Sequence, residues 1–211
     1  VLYIVEKGDT VQSMADLAGK KILAAGQGST PEYVINYLLE KNGLTDSVEV
    51  DYVSEHAEAV TQMAAGSADL ILVPEPFVTT ALSKVEGARV ALDLTQEWAK
   101  VSDADMVMGC LVVSKAFAEA DPQALRHFMT QYAVSADYCT SHPAEAAALI
   151  EKFGIMGSAA LAEKAIPNCN IVCVTGQEMA DMVTGMLTVL FDANPKSVGG
   201  SLPGEEMFYL G

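Results

Sequence analysis

Gly26, Gln27, Gly28, Ser29, Thr30 and Pro31 stand directly ahead of a run with helical spacing that closes at Gly43. Two starts fit these residues. Ser29 caps the helix with Glu32 answering three positions on, or Thr30 caps it with Pro31 in the first helical position. The first turn of any helix carries unpaired N–H groups and about half a positive charge, so a solute carboxylate, sulfonate or phosphate can be held there by amides and hydroxyls. Glycines at 26 and 28 let such a solute approach the backbone. The competing reading is that the cap satisfies those amides itself and that Glu32, folded back as a capping carboxylate, weakens an anion site.

A second candidate is "VPEPFV", where Pro74 and Pro76 flank Glu75 at the end of the apolar run "ADLILV". In open α/β sheets ligands gather beyond the carboxyl ends of strands, which is where this segment falls. There Glu75 can bind a cationic or hydroxyl group and Phe77 can stack on a ring. Equally, the segment serves as a proline-stiffened helix start with Glu75 at the positive end of the dipole.

Handles for other chemistry are missing. "GQGSTP" lacks the third glycine of a dinucleotide fingerprint, and no Walker phosphate loop occurs. His56, His127 and His142 are scattered and stand in no zinc-binding pattern, and "VVSKAF" has no glycine elbow around its serine. Glu205 and Glu206 sit together on a turn-rich tail, where a solvated surface explains them. We therefore expect no catalytic residue, no metal and no cofactor. Cys110, Cys139, Cys169 and Cys173 form no Cys-x-x-Cys pair and read as small apolar residues, with a Cys169–Cys173 disulfide as the alternative.

The elements that must position these residues alternate. "KKILAAG", "VEVDYV", "ADLILV" and "ARVALDL" read as strands. The helices between them are the Thr30 run, "HAEAVTQMAAG" and "EPFVTTALSKV". Strands joined by helices of this length imply crossovers and a mostly parallel sheet, and the unbroken apolar runs "LILV" and "VALDL" suggest strands covered on both faces. From "MGCLVVSK", read as one more strand, the texture turns helical. Asp121 and Pro122 open a helix whose buried stripe is Leu125, Phe128, Met129, Tyr132 and Ala136; others cover Pro143 to Phe153 and the run from Thr175 to Pro195.

The chain has 211 residues, 51% of them hydrophobic, which is enough for one large or two small cored domains. Its formal net charge of -16 opposes any partner bound by neutralising phosphates, so nucleic acid is excluded. No apolar run approaches the roughly 20 residues of a membrane span. The strand-like opening Val1 to Val5 suggests a chain cut from something longer.

Taken in order, "SMADLAGKKILAAGQGSTPEYVINYLLEKNGL", "VEVDYV", "MAAGSADLILVPEPFV" and "GCLVVSKAFAEADPQALRHFM" resemble the solute-binding proteins of ABC importers for nitrate, taurine, aliphatic sulfonates and thiamine precursors. The resemblance implies an α/β chain with the type II periplasmic-binding-protein fold, in which two lobes with mostly parallel sheets close a cleft over the solute. It makes Asp9 to Met106 one complete lobe, and residues 1–8 with 107–211 the later part of the other, whose N-terminal part has no counterpart here. It implies a small-molecule solute, an ABC permease as partner, an extracytoplasmic location (periplasmic or lipid-anchored outside the cell membrane), and pairing with a missing N-terminal fragment as a further partner.

Carried over by position, the resemblance gives Gln27, Gly28, Ser29 and Thr30 to the cleft, sets Glu75 and Phe77 opposite them, and adds Ser54 from a further loop. Two other functions share this architecture. Pyrimidine synthases of thiamine biosynthesis depend on a cysteine-rich iron-binding segment and histidine, which nothing here matches. LysR-type regulators use such lobes to sense effectors.

Overall fold

In a computed structural model, residues 1–210 are described. They fall into two compact units: Val1–Met106 with Gly185–Leu202, and Val107–Thr184 with the segment from Pro203 onward.

The first unit is an α/β sandwich around a five-stranded sheet. Its elements in chain order are β1 (Leu2–Lys7), β2 (Lys21–Ala25), α1 (Thr30–Lys41), β3 (Glu49–Val53), α2 (His56–Ala64), β4 (Leu70–Pro74), α3 (Phe77–Lys84), β5 (Ala88–Asp93) and α4 (Leu94–Ala99). The strands lie in the order β3-β2-β4-β1-β5. β2 is parallel to both β3 and β4, whereas β1 runs antiparallel to β4 and β5. All strands but β1 therefore share one direction.

Side-chain parity along the strands divides the core. Val5, Leu23, Ile71 and Val73 pack with Ala59, Val60 and Met63 of α2 and Val78 and Ala81 of α3. The opposite face is met by α1 and α4, whose Tyr37 and Trp98 rings lie 4.5 Å apart. β4 is buried along its length until Pro74, as its unbroken apolar run requires of a strand covered on both sides. β5 departs from that expectation. It is an edge strand of mostly intermediate exposure, because only β1 flanks it.

One buried carboxylate stabilises this unit. Glu6 accepts from the Thr10 amide (3.0 Å) and hydroxyl (2.5 Å) and the Val11 amide (3.1 Å), and pairs with the Arg89 guanidinium at 2.6 Å. Burial pushes its pKa up, but those hydrogen bonds and the Arg89 charge outweigh burial and hold it below the usual glutamate range.

The second unit is helical: α5 (Lys115–Ala120), α6 (Pro122–Ser141), α7 (Pro143–Lys152), α8 (Ala159–Ala165) and the beginning of α9 (Gly176–Ala193), whose later half belongs to the first unit. Asp121 caps α6 by accepting from the Ala124 amide at 2.9 Å. Ala146, Ala147, Ala162 and Ile166 form a small core.

Three expectations change here. "MGCLVVSK" forms no strand; residues 107–113 are irregular, and Leu111 and Val112 are 62% and 85% exposed, since no strand among the described residues offers them a ladder. Of the stripe expected on α6, Leu125 and Ala136 are buried, but Phe128 is half exposed and Met129 and Tyr132 are only partly covered. Residues 1–8 lie with 9–106 rather than with the later chain, because β1 fills the gap between β4 and β5. No disulfide joins the cysteines among the described residues. No described helix is long and apolar enough to cross a membrane.

Candidate functional site

The parallel strands β2, β3 and β4 end in register. Ala25 pairs with Val53, and Ala24 with Leu72, so the loops that follow all leave from one edge of the sheet. The connections then part. α1 carries the chain from β2 outward to β3 on one face; α2 and α3 lie on the other, α3 leading from β4 toward β5. Adjacent strands whose following helices go to opposite faces leave a crevice between their ends, and in α/β sheets that switch point is where ligands sit. Gly26 to Thr30 follow β2 at this edge, and Glu75 to Phe77 follow β4.

At the β2 end, Gly26 and Gly28 adopt φ of +88° and +77°, the left-handed region that suits glycine. A Cβ on Gly26 would also lie 2.8 Å from Ser29 Oγ and 3.2 Å from Pro31 Cγ. The tight turn folds Ser29 back, so its amide and hydroxyl both donate to the Gly26 carbonyl, at 3.1 and 2.6 Å. Ser29 is the N-cap by position, yet its hydroxyl caps no helix amide. Glu32 does not bond the Ser29 amide, which is already occupied; its Oε2 takes the Gly28 amide at 2.5 Å. Neither start drawn from the sequence forms as drawn.

The other two loops are braced in the same manner. The Ser54 amide donates to Glu58 Oε2 at 3.3 Å. Glu75 Oε2 and Oε1 accept from the Thr79 amide (3.1 Å) and hydroxyl (3.0 Å), which makes Glu75 a cap for α3. Its amide donates to the Val1 carbonyl at 3.0 Å. Each helix start at this edge thus carries a carboxylate from its own chain, where an external anion would otherwise be favoured.

All seven residues singled out in the sequence, Gln27, Gly28, Ser29, Thr30, Ser54, Glu75 and Phe77, lie at this one edge. Glu75 and Phe77 follow β4, the strand that pairs with β2 in parallel. Phe77 packs partly on the α2–α3 core and meets His56, the two ring centroids 5.3 Å apart and tilted by 40°.

Sequence reasoning passed over His56 and Tyr52. His56 opens α2, and its Nδ1 is buried with no hydrogen-bond partner; burial lowers its pKa. The usable signal was its place two residues beyond Ser54, at the end of a strand. Tyr52, near the end of β3, likewise has a buried hydroxyl without a partner, and burial, then the Glu32 charge, push its pKa to about 12. It borders a cavity of about 550 Å³ outside α1 and β3, lined also by Glu32, Asn36, Glu40 and Val50. Among the described residues no group of histidine, cysteine, aspartate and glutamate is placed to hold a metal.

The family model described as NMT1/THI5 like matches residues 1–146. No protein of curated function matches the chain in sequence. Solved structures are similar in fold, the following three among them. An ABC transporter protein from Parabacteroides distasonis matches with a TM-score of 0.74 and 24% identity, over 99% of this chain and 70% of its own. The periplasmic aliphatic sulphonate binding protein SsuA from Escherichia coli gives 0.75 and 17%, over 99% and 68%. The alkanesulfonate-binding protein SsuA from Xanthomonas axonopodis pv. citri, bound to MOPS, gives 0.62 and 20%, over 96% and 66%. The α/β fold is that of the periplasmic binding proteins.

Proposed function

The chain belongs to the NMT1/THI5-like family, and from that premise we propose that it captures a small polar solute and delivers it to the permease of an ABC importer, outside the cytoplasm. The observation that carries this reading is the parting of α1 and α3 at the ends of β2 and β4, which leaves a crevice edged by Gly26 to Thr30 and Glu75 to Phe77. Gln27, Gly28, Ser29, Thr30, Ser54 and Phe77 are the proposed contacts, with Glu75 holding the loop that carries Phe77. The solute binders among the structural neighbours support the assignment to transport.

Binding without turnover is part of the proposal. His56, the imidazole at this edge, makes no hydrogen bond to a carboxylate, hydroxyl or thiol among the described residues, so no paired base and nucleophile is assembled there. The braced loops favour solutes whose N–H or O–H donors meet the outer lone pairs of Glu32 and Glu58.

Thermal unfolding of the chain with a panel of alkanesulfonates and aminopyrimidines tests the reading. A ligand at a hundred times its Kd adds about 2.7 kcal/mol of stability, a clear rise in Tm. A panel that leaves Tm unmoved throughout argues against solute capture.

A further inference from the structure

We propose that His56 is a solute contact that sets specificity: held neutral with its proton on Nε2, it offers an N–H donor beside the Phe77 ring. The inference rests on the solute-binding reading and adds to it a residue and a demand on the solute, which must carry a hydrogen-bond acceptor next to a flat or apolar face.

Three observations converge. First, His56 Nδ1 is buried and unpartnered while the residue as a whole is partly exposed, which leaves Nε2 as the ring nitrogen to meet an incoming molecule. A buried lone pair without a partner is tolerated better than a buried N–H, which puts the proton on Nε2. Second, the imidazole lies 5.3 Å from the Phe77 ring, so the two rings make one wall. Third, His56 follows β3 and Phe77 follows β4, strands that flank β2 and end at the same edge as the Gly26 turn. Of the charged groups of these loops, Glu32, Glu58 and Glu75 are acceptors already bonded to backbone amides or to Thr79, and Glu55, the exposed residue before His56, is a further acceptor. A neutral N–H donor is therefore the complement they lack. Burial, which lowers the His56 pKa, keeps the ring uncharged at pH 7.

Two measurements on the 211-residue chain decide it. Long-range ¹H–¹⁵N NMR at pH 7, with His56 assigned by its loss in His56→Gln, should show the neutral Nε2–H tautomer; the Nδ1–H tautomer or an imidazolium overturns the proposal whether or not any solute binds. Calorimetry with 4-aminopyrimidine and with propane-1-sulfonate then compares variants. His56→Phe keeps the ring wall and should weaken the bound probe about tenfold, whereas His56→Gln, which keeps a donor, should stay within about threefold. Wild-type binding that His56→Phe leaves unchanged overturns the role of His56 alone. A wild type that takes up neither probe overturns the solute reading, and this contact with it.

Discussion

Two stretches of nearly the same composition meet opposite fates. Leu70 to Pro74, "LILVP", is the centre of the first unit, with Ile71, Leu72 and Val73 wholly buried. Gly109 to Val113, "GCLVV", is equally apolar, yet Val112 stands 85% exposed in the second unit. Local preference for extended backbone is similar in both. What separates them is company: β4 has β2 on one side and β1 on the other, with α2 and α3 across one face. A strand is thus a property of its neighbours as much as of its residues. The candidate site lies in the unit where the neighbours are present, which gives its loops a rigid base.

Truncating a side chain in each apolar run separates the two. Leu72→Ala should destabilise the chain by about 2–5 kcal/mol, the loss of buried methyl groups plus the cavity left behind. Val112→Ala removes exposed atoms and should stay within about 0.5 kcal/mol. Urea unfolding of both variants reads the difference. Equal losses would mean that residues 107–113 are buried in solution.

Next in size is the polar anchor of the first unit. Glu6 and Thr79 are the buried polar residues of the described chain, and both lie in that unit. Arg89→Ala leaves the Glu6 carboxylate buried without its cation and should cost about 2–3 kcal/mol, less than for a wholly buried pair because Arg89 is partly exposed. The pH dependence has a definite sign. The folded pKa of Glu6 is depressed, so its contribution is complete above the ordinary glutamate value and is lost as pH falls through the lower folded one. The urea midpoint should therefore drop on acidification below about pH 4, and Glu6→Gln should flatten that part of the profile.

Much of the first unit was legible because each strand and helix from Lys21 to Asp93 is a single apolar or periodic run bounded by turn residues. Legibility ended where a partner far along the chain decides the outcome. Val1 to Val5 reads as a strand, but nothing local says that it runs antiparallel between β4 and β5. Phe128 shares a helical face with Leu125, yet periodicity defines a face without saying what covers it. At the site, residue types drew attention to Ser29 and Glu75, and only the hydrogen bonds showed that each serves its own loop. His56 was passed over because a lone histidine carries no pattern. Its meaning comes from Phe77, twenty-one positions on, which the sheet brings beside it.

A smaller difference separates the start of α1 from helix starts in the second unit. Asp121, Ser114 and Ser158 in the second unit accept from amides inside the helices they open. Ser29, at the crevice of the first, turns its hydroxyl away to the Gly26 carbonyl. Asp121→Ala should then cost about 1 kcal/mol, the usual value for a lost cap. Ser29→Ala gives up one solvent-exposed hydrogen bond and should cost only about 0.3 kcal/mol, with the Glu32 brace on Gly28 intact. The same Ser29→Ala variant should weaken a bound solute severalfold if its hydroxyl swings round to meet it. A large stability loss with unchanged affinity would return Ser29 to the ordinary role of a helix cap.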